Sequence, residues 1–159
     1  MTARQRTAGR VIVRDRSHRL LMLCGTDPHQ PGRSYWITAG GGLGEGETFE
    51  QAAARELFEE TGIVAVELGA VVHSEQVEFS FESVSYQQSQ HFFAVEVPFE
   101  GPDVDLRSDG WEDYERRSIK AIRWWEPEQL ASTGDEIYPP TVAEIAASVG
   151  TWGQADLPA

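Results

Sequence analysis

Residues 48–62, TFEQAAARELFEETG, leave little room for anything but one short helix. Thr48 offers a side-chain acceptor at its start, and Gln51 stands three residues on, the spacing of a reciprocal capping box. Gly62 suits the left-handed residue that closes a helix. With 3.6 residues per turn, Glu56, Glu59 and Glu60 fall at i, i+3 and i+4 and share one face. Ala54, Leu57 and Phe58 then turn the other way, towards a core.

That acidic face is locally unfavourable. Like charges at this spacing cost about 0.2–0.5 kcal/mol per pair, and these carboxylates crowd the negative end of the helix dipole. Arg55 offsets only part of this. A positive partner is expected, and a hard divalent cation suits the donors. Mg²⁺ takes oxygen ligands, uses few protein carboxylates and leaves positions for water and phosphate oxygens. The plain alternative is a solvated, salt-bridged helix, and RELFEETG alone does not exclude it.

The flanking residues narrow the choice. Gly41, five residues, Glu47, seven residues, Arg55-Glu56-Leu57, one residue, Glu59-Glu60, one residue, Gly62-Ile63 fills every fixed position of a known pattern. The stretch 41–63 resembles the complete signature of the Nudix hydrolases. The resemblance implies an α/β fold, an α/β/α sandwich around a mixed sheet, as a single domain over 1–159. It also implies a hydrolase that cleaves a diphosphate linkage in a nucleoside diphosphate derivative or a nucleoside triphosphate, with Mg²⁺ as cofactor and Mn²⁺ as a substitute. On the matching positions, Glu59 and Glu60 are the expected metal ligands and Glu56 is a ligand or the base. Arg55 orients a glutamate, and Glu47 fixes the loop. Gly41 and Gly42 let the backbone approach closely and can offer amides to phosphate. A further acid often comes from the loop before the last strand, which here offers Glu115 and then Glu112. At Ala39 many relatives have proline, a departure that bears on loop stiffness. No Lys-Ser/Thr follows the glycines, so a P-loop reading fails.

Charge limits the partners. The net charge is −13. Arg4, Arg6, Arg10, Arg14, Arg16 and Arg19 nevertheless crowd the start of the chain against a single acid, Asp15, so the remainder is more negative still. Duplex nucleic acid is an unsuitable partner for such a surface, and an RNA-end substrate is disfavoured on the same ground. The early arginines read as alternate exposed positions on a first strand, with contact to nucleotide phosphates as the other reading. The expected partner is a small phosphorylated, nucleotide-like molecule. A homodimer is a state the resemblance suggests. One cysteine, Cys24, sits in an apolar run and reads as a small hydrophobe. No apolar run approaches the roughly 18 residues of a membrane span, so the expected setting is cytoplasmic with no membrane partner.

Along the chain, 1–5 and 151–159 read as irregular ends. Residues 7–14 and 19–23 suggest a hairpin, 25–34 a loop, and 35–38 a short strand. Residues 64–81 suggest one long bent strand or two, and 90–97 a central strand. Residues 99–116 read as an acidic loop or lid, 118–125 as a strand and 127–131 as a helical turn with proline at its first position. Val142, Ile145, Ala146 and Val149 have the period of a C-terminal amphipathic helix. Trp111 and Tyr86, placed in polar loops, are the candidates for stacking a base. His73 and His91 read as structural, and His29 as a loop residue without support.

The substrate is not legible. ADP-ribose pyrophosphatases often carry a proline some way beyond the box, and QVEFSFES, which occupies that neighbourhood, has none. The tyrosine typical of dinucleoside polyphosphate hydrolases would have to be Tyr86, which comes late. The asparagine that can read oxidised guanine is missing, since the chain has no asparagine. Two other classes compete with hydrolysis. A catalytically silent Nudix-fold module that binds a nucleotide or metabolite is one, although such modules usually lose box glutamates. An isoprenoid diphosphate isomerase would want a cysteine in the early loop, and Cys24 precedes it.

Overall fold

The computed structural model of the chain describes residues 2–106 and 119–159. The chain runs through β1 (Arg4–Arg14), β2 (Leu20–Thr26), β3 (Ser34–Ile37), β4 (Ala39–Gly42), α1 (Phe49–Thr61), β5 (Val64–Glu67), β6 (His73–Phe81) and β7 (Val84–Glu96). A 3₁₀ turn at Gly101–Asp103 precedes β8 (Ile119–Trp125), α2 (Pro127–Ser132), β9 (Ile137–Tyr138), α3 (Val142–Ser148) and β10 (Gly153–Asp156).

Three strands carry apolar side chains on both faces. From β1, β2 and β7, Val11, Val13, Leu21, Leu23, Phe93 and Val95 enter one core with Ala53 and Leu57 of α1. The intervening Ile12, Leu20, Met22, Phe92 and Ala94 enter a second core with Leu130 of α2 and Val142, Ile145 and Ala146 of α3. Successive side chains of a strand point to opposite faces, so a strand covered on both sides reads as an apolar run. VIV and LLML are such runs. The result is an α/β/α arrangement around a mixed sheet. β7 runs parallel to β1 along its whole length and antiparallel to β6.

Several expectations are corrected. The hairpin of the first two strands is pinned only at Arg14 opposite Leu20. Beyond that point β4 takes the edge of β1 from Ala8 to Val11, and β2 pairs with β3 and β8 instead. The segment 64–81 is two strands, one of the two readings its sequence allowed. The ends are not irregular throughout: β1 begins at Arg4, opposite Tyr86, and the tail contributes β10. That strand lies between β5 and β7, with Ala155 2% exposed. A hydropathy pattern of four residues is too short to announce it. Deleting 151–159 removes the strand that joins β5 to the sheet among the described residues. We expect a lower thermal midpoint and faster amide exchange in Val64–Glu67, measured by calorimetry and hydrogen exchange.

The helix forms where its caps require. Thr48 Oγ1 accepts from Gln51 N at 3.1 Å, and Gln51 Oε1 accepts from Thr48 N at 3.0 Å. Gly62 has φ 80° and donates its N–H to Phe58 O at 2.8 Å. Its orientation differs from expectation. Leu57 is buried, but Phe58 is 48% exposed, and Glu56 and Glu60 are buried instead. The cause is the strand beneath. Gly9 presents no side chain, and a Cβ there would overlap Phe49 O and come within 2.9 Å of Ala53 N. The helix therefore settles on β1 and β4 along the Ala52, Ala53, Glu56 and Glu60 side.

Candidate active site on the capped helix

Arg55 ties the glycine loop to the helix. Its Nε donates to Glu47 Oε2 at 2.7 Å, and its Nη2 to Glu47 Oε1 at 2.9 Å and Gly42 O at 3.1 Å. Its Nη1 donates to Glu56 Oε1 at 3.0 Å and Glu59 Oε2 at 3.2 Å. All five N–H groups of the guanidinium are thereby engaged. Glu47 also accepts from Gly44 N at 2.6 Å, which folds the loop back onto the helix start. The bond from Arg55, then that from Gly44, holds the Glu47 carboxyl at a pKa of about 2. The same contacts raise the Arg55 pKa, with Glu47 the largest cause.

These shifts carry a pH dependence. A carboxylate whose folded pKa is depressed stabilises the fold above its unfolded value and loses that contribution as pH falls through the folded one. For Glu47 the window runs from its ordinary 4.5 down to about 2. Glu47→Gln should flatten the loss of stability across that window while leaving the slope near pH 7 unchanged. Chemical denaturation as a function of pH checks this.

The acidic face is largely withdrawn from water. Glu56 and Glu60 are 8% and 5% exposed, and the Glu59 side chain is 25% exposed. Burying a carboxylate is costly unless it is paired and hydrogen-bonded. Gly40 N donates to Glu60 Oε1 at 2.8 Å. Glu56 lies flat on Gly41, where a Cβ would sit 2.6 Å from its Cδ. Gly41→Ala should therefore push the Glu56 carboxylate aside while the fold survives. Lost turnover with a near-native circular dichroism spectrum is the expected result.

The donors are hard oxygens on one face, and Glu56 and Glu59 already hold a positive group, the Arg55 guanidinium, between them. In donor chemistry they fit a divalent cation. Among the described residues no three His, Cys, Asp or Glu side chains converge as a ready-made cage.

The family model described as the NUDIX domain matches residues 3–145. The chain belongs to the NUDIX domain family. Its members generally use divalent metals. The chain is 34% identical over 105 residues to an RNA pyrophosphohydrolase of Novosphingobium aromaticivorans, covering 60% of this chain and 62% of the relative. It is 25% identical over 132 residues to an RNA pyrophosphohydrolase of Mannheimia succiniciproducens, covering 72% and 63%. The chain thus spans a little under two thirds of the length of these two relatives. Among solved structures, the MutT protein of Methanosarcina mazei Go1 superposes with TM-score 0.69 at 18% identity, over 92% of this chain and 96% of that one. The E. coli ORF135 protein superposes with TM-score 0.59 at 26% identity, over 91% and 89%.

The contacts of Arg55 bring Glu47, Glu56 and Glu59 together, and Glu60 lies on the same helix. Glu115, Glu112 and Trp111 lie outside the described residues. Tyr86 is not in a polar loop. It belongs to β7, where it stacks on Phe79 with ring centroids 5.2 Å apart, and the Arg6 guanidinium stands 5.6 Å from its ring centroid. The loop reading failed because SYQQSQ is polar throughout, although it pairs with β1 and β6. Gly41 and Gly42 pair with β1 opposite Gly9 and Ala8. His73 bonds Glu75 at 2.8 Å, His91 stacks on Phe49, and His29 bonds Ser83 at 3.0 Å. Burial raises the pKa of the Cys24 thiol, with Asp135 adding to it and a bond from Ser34 opposing it. Among the described residues, no helix is long and apolar enough to cross a membrane.

Sequence reading misses Arg10. Unlike the exposed arginines expected along the first strand, it is half-buried, and its Nη1 donates to Gly40 O at 3.1 Å and Thr38 O at 3.3 Å. Burial lowers its pKa, with the fields of Glu60 and Glu56 opposing. Only the pairing of β1 with β4 places it there.

Proposed function

We propose that the chain is a Mg²⁺-dependent pyrophosphohydrolase acting on a nucleoside diphosphate derivative or a nucleoside triphosphate, as one Nudix domain over 1–159. The observation that carries this is the buried carboxylate face of α1 set beside a glycine strand in a chain whose family is established. A bound Mg²⁺ would neutralise phosphate oxygens and favour the ionised form of an attacking water. Glu59 and Glu60 would hold the ion. Glu56, kept in place by Arg55 and Gly41, would act as a further ligand or accept the proton of the water. Arg55 would hold Glu56 and Glu59 at fixed separation while Glu47 anchors it. Gly41 and Gly42 would let the phosphates approach the backbone, Tyr86 and Trp111 would contact the base, and Glu115 would supply a carboxylate from the following loop.

The names of the relatives favour a second reading, the same cleavage on a phosphoanhydride carried by RNA. The net charge of −13 weighs against it. We further propose a cytoplasmic setting and a homodimer, which sedimentation would test.

A substrate panel decides between these readings. It should include nucleoside triphosphates, modified deoxynucleotides, ADP-ribose, nucleotide sugars, dinucleoside polyphosphates and triphosphorylated RNA, each with and without Mg²⁺ or Mn²⁺. We expect metal-dependent phosphate or pyrophosphate release from a small nucleotide. Release from RNA alone would favour the second reading. Binding without turnover on every member would establish the silent module instead.

A further inference from the structure

The glycine strand and the buried glutamate meet at one residue, Gly40. Gly40 N donates to Glu60 Oε1 at 2.8 Å. The carbonyl of the same residue accepts from Arg10 Nη1 at 3.1 Å, and the second N–H of that nitrogen reaches Thr38 O at 3.3 Å. Arg10 stands opposite Gly40 in the β1–β4 register. Gly40 has φ 139°, a conformation that side chains rarely adopt. A Cβ there would overlap Gly9 O and come within 2.8 Å of Arg10 Cδ. The space a side chain would take is occupied by the Arg10 stem. The guanidinium holds two carbonyls on either side of Ala39, and Gly40, between clamp and helix, aims its amide at Glu60.

The geometry points to Arg10 as a positioning residue for the Glu60 carboxylate, acting through the backbone of Gly40. It rests on the reading of Glu60 as an ion ligand. Arginine suits the task because its terminal nitrogen presents two N–H groups in a fixed plane. Lysine keeps the charge but replaces the planar guanidinium with a flexible ammonium that has no fixed pair of N–H groups. Arg10 therefore acts by place, and its positive charge by itself would weaken cation binding beside Glu60 and Glu56. The two effects have opposite signs, so substitution separates them.

The test uses the whole chain with Mn²⁺ as probe and no nucleotide. Wild type, Arg10→Lys and Arg10→Met are titrated with Mn²⁺ by electron paramagnetic resonance. Gly40 and Leu57 amide exchange is followed by NMR in metal-free buffer. If Arg10 positions Glu60, Arg10→Lys weakens Mn²⁺ binding by about 10–100-fold, the range for groups that orient a metal ligand. Gly40 exchange accelerates by at least about tenfold, while Leu57 exchange is unchanged, so a general loss of stability is not the cause. Unchanged Mn²⁺ affinity and Gly40 exchange in Arg10→Lys overturn the inference. Tighter Mn²⁺ binding in Arg10→Met with wild-type affinity in Arg10→Lys also overturns it, since Arg10 would then act only as a charge. If wild type binds no Mn²⁺ but Gly40 exchange still responds to Arg10→Lys, the contact stands and the ion reading falls.

Discussion

Glu60→Gln is expected to lower turnover by on the order of 10³-fold in a protein that still folds. The substitution is nearly isosteric, and the amide oxygen can still accept the N–H of Gly40, which now meets Glu60 Oε1 at 2.8 Å. What disappears is one negative charge on a face that also carries Glu56 and Glu59. Charge stabilisation by a bound metal is worth several kcal/mol, and about 1.36 kcal/mol corresponds to a factor of ten in rate. The assay is Mg²⁺-dependent phosphate release on the best member of the panel, with Mn²⁺ affinity measured alongside. The metal-free melting midpoint should hold or rise slightly, because like charges are relieved. Full turnover with the metal requirement intact in a Glu59→Gln/Glu60→Gln double variant would falsify the assignment of the site.

Gly9→Ala is expected to cost about 3 kcal/mol, at the upper end of ordinary overpacking. The added methyl would overlap the Phe49 carbonyl and approach Ala53 N to 2.9 Å and Ala53 Cβ to 3.1 Å. The first two are backbone atoms of α1 and cannot rotate away, so relief requires moving the helix off β1. That displacement also opens the core that Ala53 and Leu57 share with Val11 and Phe93. For a chain of this size the midpoint should fall by roughly 6–12 °C. Calorimetry measures it, and a midpoint within about 1–2 °C of wild type, on that same scale, would mean that the helix is not held close to the strand.

Legibility in the sequence followed the range of the forces involved. The helix limits were readable because Thr48, Gln51 and Gly62 act on their own backbone within a turn. The box was readable because its chemistry is packed into one unbroken stretch, 41–63. The face of α1 was not, at Phe58 and at the two glutamates. Amphipathic period says which side chains align, but a glycine on a distant strand decided which side could lie close. Tyr86 was misplaced for a similar reason. Its polar neighbours are tolerated because they pair between two strands. The strand β10 was invisible because its partners, β5 and β7, lie far back in the chain.

The sequence by itself determined that a capped helix of fixed length would carry three carboxylates on one face after a glycine loop, since capping and helical period are local. Tertiary structure decided that two of those carboxylates would be buried. It also decided that Arg55 would use all its donors to tie Glu56 and Glu59 to Glu47 and the loop, and that Arg10 would grip the carbonyl of Gly40. Those outcomes depend on strand register and on the space two glycines leave open. Both are set by the packing of the sheet, which no short stretch of residues encodes.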